Sequence, residues 1–428
     1  MANPKLTRMR ARPLSAARLE VAYRRVRSLG LATPGVSGLV RRVRARTIER
    51  AYLATAARYA SIPGPTASTE VMLRHRSEER LFRFRHLDRK PRILFVGTDY
   101  LQDASGTLQA LSKIGEVTPF VQSDGTYGQR TPDRQLSFDL AIPNALRILE
   151  LAATADDAGR PFDLLVGQML DGYIDGRALS DLRDLYGTLI INIGMDDRHA
   201  FAVRNLYRTI GTRGLVPHID LAATTARESV DWYRKDGCPA IFFPEASDPD
   251  LFRPMPEVPK RYDVSFVGAR YGIRQRIVER IQRAGIAVEA RGSGWPRGRI
   301  PTEEVPELFA ASRIILGVGT IGHSESLYAL KLRDFDAPMS GSCYLTHDNS
   351  DLHELFEIGR EIAVYRDDLD CVRVVRQLLN DDEGREEIAR RGRQRALRDH
   401  TWVDRFTYLI SVLRGTNPGV SGASVLPH

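Results

Sequence analysis

The feature that most constrains the fold is a strand–glycine–helix pattern that occurs twice along the chain. The apolar run at 92–97 ends in glycine, and a helical pattern follows from about 106 to 114. The apolar run at 263–268 also ends in glycine and precedes a helical pattern at 274–283. Further strand-like runs alternate with helix-compatible segments in both halves, at 117–121, 162–167, 188–192, 221–225, 286–290, 314–318, 343–346 and 362–365. Because apolar strands that alternate with helices form parallel sheets covered by helices, the chain is predicted to contain two successive α/β domains.

A proline-rich segment between the two halves indicates the main domain boundary. It is predicted to be a linker at 244–256, with a Rossmann-like domain on either side. Two such domains would leave a cleft at the carboxyl ends of both sheets, where open α/β sheets bind ligands. The remaining boundaries follow from the same patterns: a helical extension at 1–90, an N-terminal domain at 91–243, a C-terminal domain at 257–398, a closing helix at 399–414 and a disordered tail at 415–428.

The charge of the chain is concentrated at its start. Residues 1–90 contain 21 Lys and Arg against 6 Asp and Glu, whereas the remaining residues contain 41 against 48. Apolar residues between Val36 and Tyr59 recur at helical spacing. Two interpretations stay open: the arm, chiefly 1–60, adsorbs to an anionic membrane surface, or its apolar stripe packs on the first domain and its arginines are solvated. Nucleic acid is not an expected partner, because no aromatic residues are interleaved with the basic ones.

The cysteines and the hydropathy indicate the compartment. Cys238, Cys343 and Cys371 are scattered and form no pairing or zinc-binding pattern, which favours a reducing environment. No apolar run approaches the ~18–20 residues of a membrane-spanning helix, and the start of the chain lacks the apolar segment of a secretory signal. We expect a cytoplasmic protein, peripheral to the inner face of the membrane if the arm adsorbs. An arginine-rich start is also compatible with an organellar transit peptide.

Four segments of the second half carry a resemblance to a known family. They are KLRDFDAPMSGSCYLT at 331–346, DPDLFRP at 248–254, the loop at 266–274, and His400, Thr401 and Trp402 with Arg405. The segment at 331–346 resembles the donor-binding segment of GT-B glycosyltransferases of group 1, and especially the spore-protein CgeB-like branch, which has basic–x–Phe–Glu–x–Pro–Ala–x–Gly–Gly there. The other three resemble the interdomain crossover, the first loop of the C-terminal domain, and the closing helix that returns to the N-terminal domain. The resemblance implies the GT-B fold and sugar transfer from a nucleotide-sugar.

The resemblance also implies a set of donor-binding residues. A nucleoside diphosphate leaving group needs positive charge, which arginine, lysine and helix N-termini supply in the absence of a metal. Asp336 stands where the family has a glutamate that binds the ribose hydroxyls, and it is one methylene shorter. The predicted donor-binding residues are Gly268, Arg270, Arg274, Gly294, Lys331, Arg333, Asp336, Ser340, Gly341 and Ser342.

The acceptor side is less clearly marked. Asp196, Asp197 and His199 follow the strand-like run at 188–192, and each could take a proton from an acceptor hydroxyl. The alternative is a helix cap or a solvated loop, because aspartates are common at helix N-termini. The Asp196–Asp197 pair has no DxD spacing and no supporting third ligand, so no metal site is predicted.

We therefore predict a metal-independent glycosyltransferase that needs no cofactor besides its nucleotide-sugar substrate. The acceptor is a glycan, a lipid or a protein. The alternative is a catalytically inactive GT-B-like binding or scaffold protein, which the aspartate at 336 keeps open. A nicotinamide enzyme is disfavoured, because neither opening strand is followed by G-x-G-x-x-G.

Overall fold

The computed structural model describes residues 36–65, 67–131, 137–204 and 209–416. The beginning of the predicted basic arm, 1–35, and most of the predicted disordered tail, 417–428, lie outside the described residues. Contacts divide the described chain into two compact units. The first unit comprises the described residues up to Tyr100, Gly115–Phe243 and Leu413–Gly415, and the second comprises Leu101–Ile114, Pro244–Val412 and Thr416.

The strands and helices are numbered in chain order. The strands are β1 Arg92–Val96, β2 Glu116–Pro119, β3 Leu164–Gly167, β4 Leu189–Gly194, β5 Val203–Arg204, β6 Thr209–Ile210, β7 Leu221–Thr224, β8 Ala240–Phe242, β9 Tyr262–Val267, β10 Val288–Arg291, β11 Ser312–Leu316, β12 Cys343–His347 and β13 Ala363–Tyr365. The helices are α1 Val36–Ala60, α2 Thr69–Arg85, α3 Tyr100–Asp103, α4 Thr107–Ile114, α5 Ala141–Asp157, α6 Gly176–Tyr186, α7 Asp197–Ala200, α8 Arg227–Lys235, α9 Arg274–Arg283, α10 Val305–Ala310, α11 Arg333–Met339, α12 Ser350–Leu355, α13 Asp368–Asn380, α14 Asp382–Asp399 and α15 Trp402–Arg414.

In the described part of the first unit, six parallel strands form one sheet in the order β2-β1-β3-β4-β7-β8. Every residue of β3, β4 and β7 is buried, which is why these strands read as continuous apolar runs and not as an alternation. Strand β2 lies at an edge and is mostly exposed, so it tolerates Glu116 and Pro119. The sequence prediction missed β8, which directly precedes the proline-rich segment, and the short antiparallel pair β5–β6.

Helix α1 packs on the first unit with one face. Tyr59 is only 1% exposed and belongs to the hydrophobic core of the unit, and Tyr52 and Ala56 pack against the same core. The opposite face is exposed and carries Arg42, Arg46, Arg50 and Arg58. In the described part of the arm, the apolar stripe is therefore covered by the protein at Tyr52, Ala56 and Tyr59, whereas Val43 and Leu53 remain exposed.

Helix α2 is also part of the first unit. Its N-cap Ser68 accepts a hydrogen bond from the amide of Val71. Arg76 donates hydrogen bonds to the carbonyls of Val216, Ile219 and Gly237, and Arg80 forms an ion pair with the buried carboxylate of Asp220. The predicted extension at 1–90 is thus an integral layer of the first unit where the structure describes it.

The described part of the second unit contains five parallel strands in the order β10-β9-β11-β12-β13. Its core is formed by these strands with α9 and α13. The segment Leu101–Ile114 belongs to this unit through close packing and an ion pair. A Cβ added at Gly106 would lie 2.6 Å from the Trp402 ring, and Lys113 pairs with Asp250 at 2.8 Å.

Two further observations concern membrane-spanning helices and the cysteines. In the described ranges, no helix combines the length and the apolar character that crossing a bilayer requires. Cys238, Cys343 and Cys371 are all buried as free thiols, and burial raises their pKa values, that of Cys238 to about 12.

Candidate functional site

Two guanidinium groups meet at the carboxyl end of β9 in the second unit. Gly268 follows the last residue of β9 and has φ +156°. A Cβ added there would lie 2.8 Å from Nη1 of Arg333 and 3.4 Å from Nη1 of Arg274. The positive φ favours glycine here, and an added Cβ would also lie 3.2 Å from the Phe266 ring and displace the Arg333 guanidinium. We call Arg274 and Arg333 the arginine pair.

Arg274 is the buried member of the arginine pair. Its exposure is 5%, its Nη1 donates to the Ala269 carbonyl at 3.1 Å, and its guanidinium lies 4.0 Å from the ring centre of Tyr271. Burial lowers the pKa of Arg274 to about 10, with a smaller contribution from the charge of Arg333. None of the described Asp and Glu carboxylates forms an ion pair with it, so it is a buried cation without a counter-charge.

Arg333 occupies the N-terminus of α11. It donates to the Val267 carbonyl, and its guanidinium lies 4.9 Å from the ring centre of Phe266. Asp334 fixes the turn that precedes the helix: one oxygen accepts from the Lys331 amide at 2.7 Å and the other from the Tyr344 hydroxyl at 2.5 Å. Burial raises the pKa of Asp334 to about 6. Lys331 and Arg333 are therefore presented by a rigid turn next to the end of β9.

The turn at Gly294 is joined to the same loop. The Trp295 Nε1 donates to the Gly268 carbonyl at 2.8 Å, and the Arg270 amide donates to the Ser293 carbonyl at 2.8 Å. Arg270 itself is partly exposed, lies 5.3 Å from the Trp295 ring centre and is 3.7 Å from a Glu279 oxygen. The structure thus brings together Gly268, Arg270, Arg274, Gly294 and Arg333, with Lys331 on the adjacent turn.

Asp336 lies one turn along α11 from Arg333. It is 6% exposed, and one of its oxygens accepts from the Ser247 hydroxyl at 2.7 Å. Burial raises the pKa of Asp336 well above its usual range, while the hydrogen bond from Ser247 acts in the opposite direction. Ser247 is itself fixed by backbone hydrogen bonds to His400 and Trp402. Asp336 therefore connects α11 to the linker and offers only its remaining oxygen to a ligand.

Ser340, Gly341 and Ser342 are not brought to this site. They lie between the end of α11 and the start of β12, at the amino edge of the sheet, whereas Gly268 lies at the carboxyl edge. The Ser340 hydroxyl donates to the Ala337 carbonyl at 2.7 Å, and the Ser342 hydroxyl donates to the Phe309 carbonyl at 3.2 Å. The helix α11 runs from one edge of the sheet to the other, so residues close in sequence end up at opposite edges.

Sequence reasoning missed a group of buried polar side chains at the carboxyl edge. The Tyr365 hydroxyl donates to the Gly317 carbonyl at 2.8 Å, and Nδ1 of His347 accepts from the Gly319 amide at 3.3 Å. Burial lowers the pKa of His347 to about 4, so it is neutral at physiological pH. The sequence signal that could have indicated these residues is a tyrosine or histidine within an otherwise apolar strand, since a buried polar group needs a hydrogen-bond partner.

The predicted acceptor-side residues lie at the start of α7 in the first unit. Asp197 is 1% exposed and accepts from the Thr212 hydroxyl at 2.6 Å. Burial raises its pKa to about 6. Asp196 and His199 are more exposed, and the His199 Nε2 lies 4.0 Å from an Asp196 oxygen. The three residues are adjacent, but Asp197 faces the interior whereas Asp196 and His199 reach the surface of the unit.

Potential metal ligands do not form a cluster in this part of the molecule. Among the residues that the structure describes, no group of three or more His, Cys, Asp or Glu side chains is arranged to hold a metal ion.

Comparisons with known proteins give a family match over part of the chain and a similar fold. Residues 273–411 match the family described as glycosyl transferase-like. The fold is similar to that of sucrose-phosphate synthase from Thermosynechococcus elongatus, with a TM-score of 0.55, 13% identity, and coverage of 76% of this chain and 99% of that one. It is also similar to HepE of Anabaena, solved in complex with UDP-glucose, with a TM-score of 0.51, 12% identity, and coverage of 76% and 100%. A comparison with curated proteins gives no sequence match.

Two parallel α/β units with this similarity constitute the GT-B fold, so the predicted fold class is confirmed. The match at 273–411 covers less than half of the chain and spans the arginine pair and α11, and it is consistent with the prediction of a glycosyltransferase. The glycosyl transferase-like segment is thus the segment that contains the arginine pair.

Proposed function

We propose that the protein transfers a sugar from a nucleoside-diphosphate sugar to a hydroxyl group of a glycan, lipid or protein, and that the second unit binds the donor. The observation that carries this proposal is the arginine pair at Gly268. Arg274 is buried and pairs with none of the carboxylates that the structure describes, which is costly for the fold, and an anion that neutralises it accounts for its presence.

The arginine pair suits the chemistry of this reaction. The bond between the anomeric carbon and the diphosphate oxygen breaks, and the electron pair leaves with the nucleoside diphosphate. Guanidinium groups fixed in advance stabilise the charge that develops on this leaving group, and they supply the positive charge that a metal ion provides in other enzymes. Arg270 and Lys331 extend the same positive surface, so we propose a metal-independent transfer.

The glycines and Asp336 have proposed roles in the same donor site. Gly268 and Gly294 let the backbone approach the phosphates without a Cβ in the way. The free oxygen of Asp336 is proposed to accept a hydrogen bond from the ribose. Ser340, Gly341 and Ser342 are proposed to close α11 and not to contact the donor, since the hydroxyls of both serines donate to backbone carbonyls. The segment at 331–346 also supports placement in the CgeB-like branch.

The acceptor is proposed to bind the first unit. The acceptor oxygen attacks the anomeric carbon and loses its proton to a general base. His199 is the proposed base, because it is partly exposed and an oxygen of Asp196 lies 4.0 Å from its Nε2. Asp197 is proposed to hold the turn in place through Thr212.

We also propose that the protein is cytoplasmic and adsorbs to anionic membranes through the exposed face of α1 and the basic residues before it. Arg42, Arg46, Arg50 and Arg58 are exposed, and each basic residue near a headgroup surface contributes about 1 kcal/mol. Sedimentation with vesicles of anionic or neutral phospholipid tests this. A variant with all four arginines replaced by glutamine should pellet less with anionic vesicles, and equal pelleting would contradict the proposal.

The donor assignment is tested by titrating the full-length protein with UDP and with UDP-glucose, the ligand seen in the Anabaena neighbour. We expect saturable binding of both and slow release of UDP from UDP-glucose. Absence of binding to UDP, GDP and dTDP alike would contradict the proposed function.

A further inference from the structure

We infer that helix α1 positions the turn carrying Asp196 and His199, and that Tyr52 and Tyr59 do this through two carboxylates of the first unit. The inference rests on the proposed role of that turn in the reaction. It assigns to the N-terminal helix a part in the acceptor side of catalysis, in addition to its exposed basic face.

Tyr52 is connected to the turn through Glu228. The Tyr52 hydroxyl donates to Oε1 of Glu228 at 3.2 Å. The same carboxylate accepts two hydrogen bonds from Arg198, from Nε to Oε1 at 2.6 Å and from Nη2 to Oε2 at 2.8 Å. Because Arg198 is the residue between Asp197 and His199, one carboxylate separates the Tyr52 hydroxyl from the turn.

Tyr59 is connected to the other end of the same short helix. Its hydroxyl donates to Oδ2 of Asp236 at 2.7 Å, and Arg213 donates its Nε to that oxygen at 2.7 Å. The amide of Arg213 donates to the Phe201 carbonyl at 2.9 Å. The Tyr59 ring also contacts the Phe201 ring edge to face, with 5.6 Å between their centres. Phe201 directly follows α7, so both ends of α7 are linked to α1.

Tyr52 and Tyr59 are placed on α1 so that both can hold α7 in position. They are seven residues apart, two turns of helix, and therefore lie on the same face of α1. A helix of four residues such as α7 is too short to be stable alone and depends on tertiary contacts. The contacts from α1 bracket it at Arg198 and at Phe201. The order of the turn therefore depends on the hydroxyl groups of Tyr52 and Tyr59 as well as on burial of their rings.

Hydrogen exchange separates this role from simple core packing. The amides of His199 and Ala200 donate to the Asp196 carbonyl at 3.0 and 2.7 Å, and the amide of Phe201 donates to the Asp197 carbonyl at 3.0 Å. In full-length Tyr52→Phe and Tyr59→Phe variants, these three amides should exchange at least about tenfold faster, as expected for the loss of one hydrogen bond to a charged group. Phenylalanine keeps the ring packing, so amides in β3, β4 and β7 should keep their rates.

The matched control is Tyr186→Phe, which removes a phenol hydroxyl from a partly buried position at the end of α6 in the same unit. It should leave the three amides unchanged. Unchanged exchange at His199, Ala200 and Phe201 in the Tyr52 and Tyr59 variants would overturn the inference. Equal acceleration throughout the first unit would also overturn it, because that result indicates a loss of global stability only.

A kinetic readout distinguishes this inference from the proposed function. UDP affinity should be the same in Tyr52→Phe as in the parent protein, because its donor residues are intact, whereas kcat for UDP release from UDP-glucose should fall about fivefold with little change in KM. A parent protein that does not bind UDP would contradict the proposed function, while the exchange data would still decide the inference. A change in UDP affinity without a change in exchange would overturn the inference alone.

Discussion

Arg274 and Arg333 reach the same backbone position, the Cα of Gly268, from two different helices. Arg274 is the first residue of α9 and Arg333 is the first residue of α11, and each lies within 3.4 Å of the place where a Cβ on Gly268 would stand. Helix N-termini favour anions and not cations, so two arginines here are unfavourable for the helices themselves. The arrangement is consistent with a site that is completed by an anionic ligand.

The first prediction is that Arg274→Met stabilises the protein. Burial lowers the pKa of Arg274 to about 10, so the folded protein disfavours the charge that this side chain carries at neutral pH. Methionine keeps an unbranched apolar side chain in the same space, and the free energy of unfolding should rise by about 1–3 kcal/mol. Chemical denaturation at pH 7 measures this. If Arg274→Met instead lowers the free energy of unfolding by about 1–3 kcal/mol, the guanidinium group stabilises the fold and the prediction is wrong.

The second prediction compares two glycines with positive φ in the second unit. At Gly268 a Cβ would meet Nη1 of Arg333, whereas at Gly285, with φ +82°, no atom lies within 4 Å of an added Cβ. Both alanine variants should lose stability through backbone strain, by about 1 kcal/mol. Only Gly268→Ala should also lose UDP binding, at least tenfold by calorimetry. Equal UDP affinity in the two variants would remove Gly268 from the donor site.

The third prediction concerns the base. His199→Gln should lower kcat for UDP release from UDP-glucose by about 100-fold, because a general base typically contributes that much. UDP affinity and the unfolding midpoint should not change, since His199 is partly exposed. His75→Gln, at an exposed position of α2, is the control and should behave as the parent protein does. A normal rate in His199→Gln would transfer the role of base to another residue.

The fourth prediction is a pH dependence of stability that is due to Asp334. Burial raises its pKa to about 6, whereas an unfolded aspartate titrates near 4. Between these values the folded state holds more protons than the unfolded state, so stability falls as pH rises from about 4 to about 6. In the parent protein, the free energy of unfolding should fall by about 2–3 kcal/mol over this pH range because of Asp334, and in Asp334→Asn this contribution should be absent. A difference between parent and variant that does not change with pH would contradict the assignment.

The sequence predicted the fold well because apolar strand runs and glycine loops are local signals. The restart of the pattern near Asp263 corresponds to β9, which begins one residue earlier, at Tyr262. The strand β8 was missed because it has three residues and merges with the proline-rich segment. The packing of Tyr52, Ala56 and Tyr59 on the first unit could not be predicted, since an amphipathic pattern shows which face is apolar but not what packs on it.

Part of the candidate site was predicted because its residues also follow local sequence signals. The arginines at 270, 274 and 333 follow local landmarks, a strand-ending glycine and a helix start, and the structure brings them together. Ser340 and Ser342 are adjacent to α11 in sequence but lie at the other edge of the sheet, because a helix carries the chain across it. The hydrogen bond from Tyr344 to Asp334 joins a strand to a helix turn, and no residue spacing indicates such a contact.

The most direct test of the account is the affinity of UDP for the full-length protein and for Arg274→Met, measured by calorimetry at low and moderate salt. The account predicts one saturable site in the parent protein and an affinity at least tenfold lower in the variant, as expected for a lost charge-assisted hydrogen bond of about 1.5–3 kcal/mol. Arg373→Ala, which removes a surface arginine of α13, should bind UDP as the parent protein does. Equal UDP affinity in Arg274→Met and the parent protein would contradict the account.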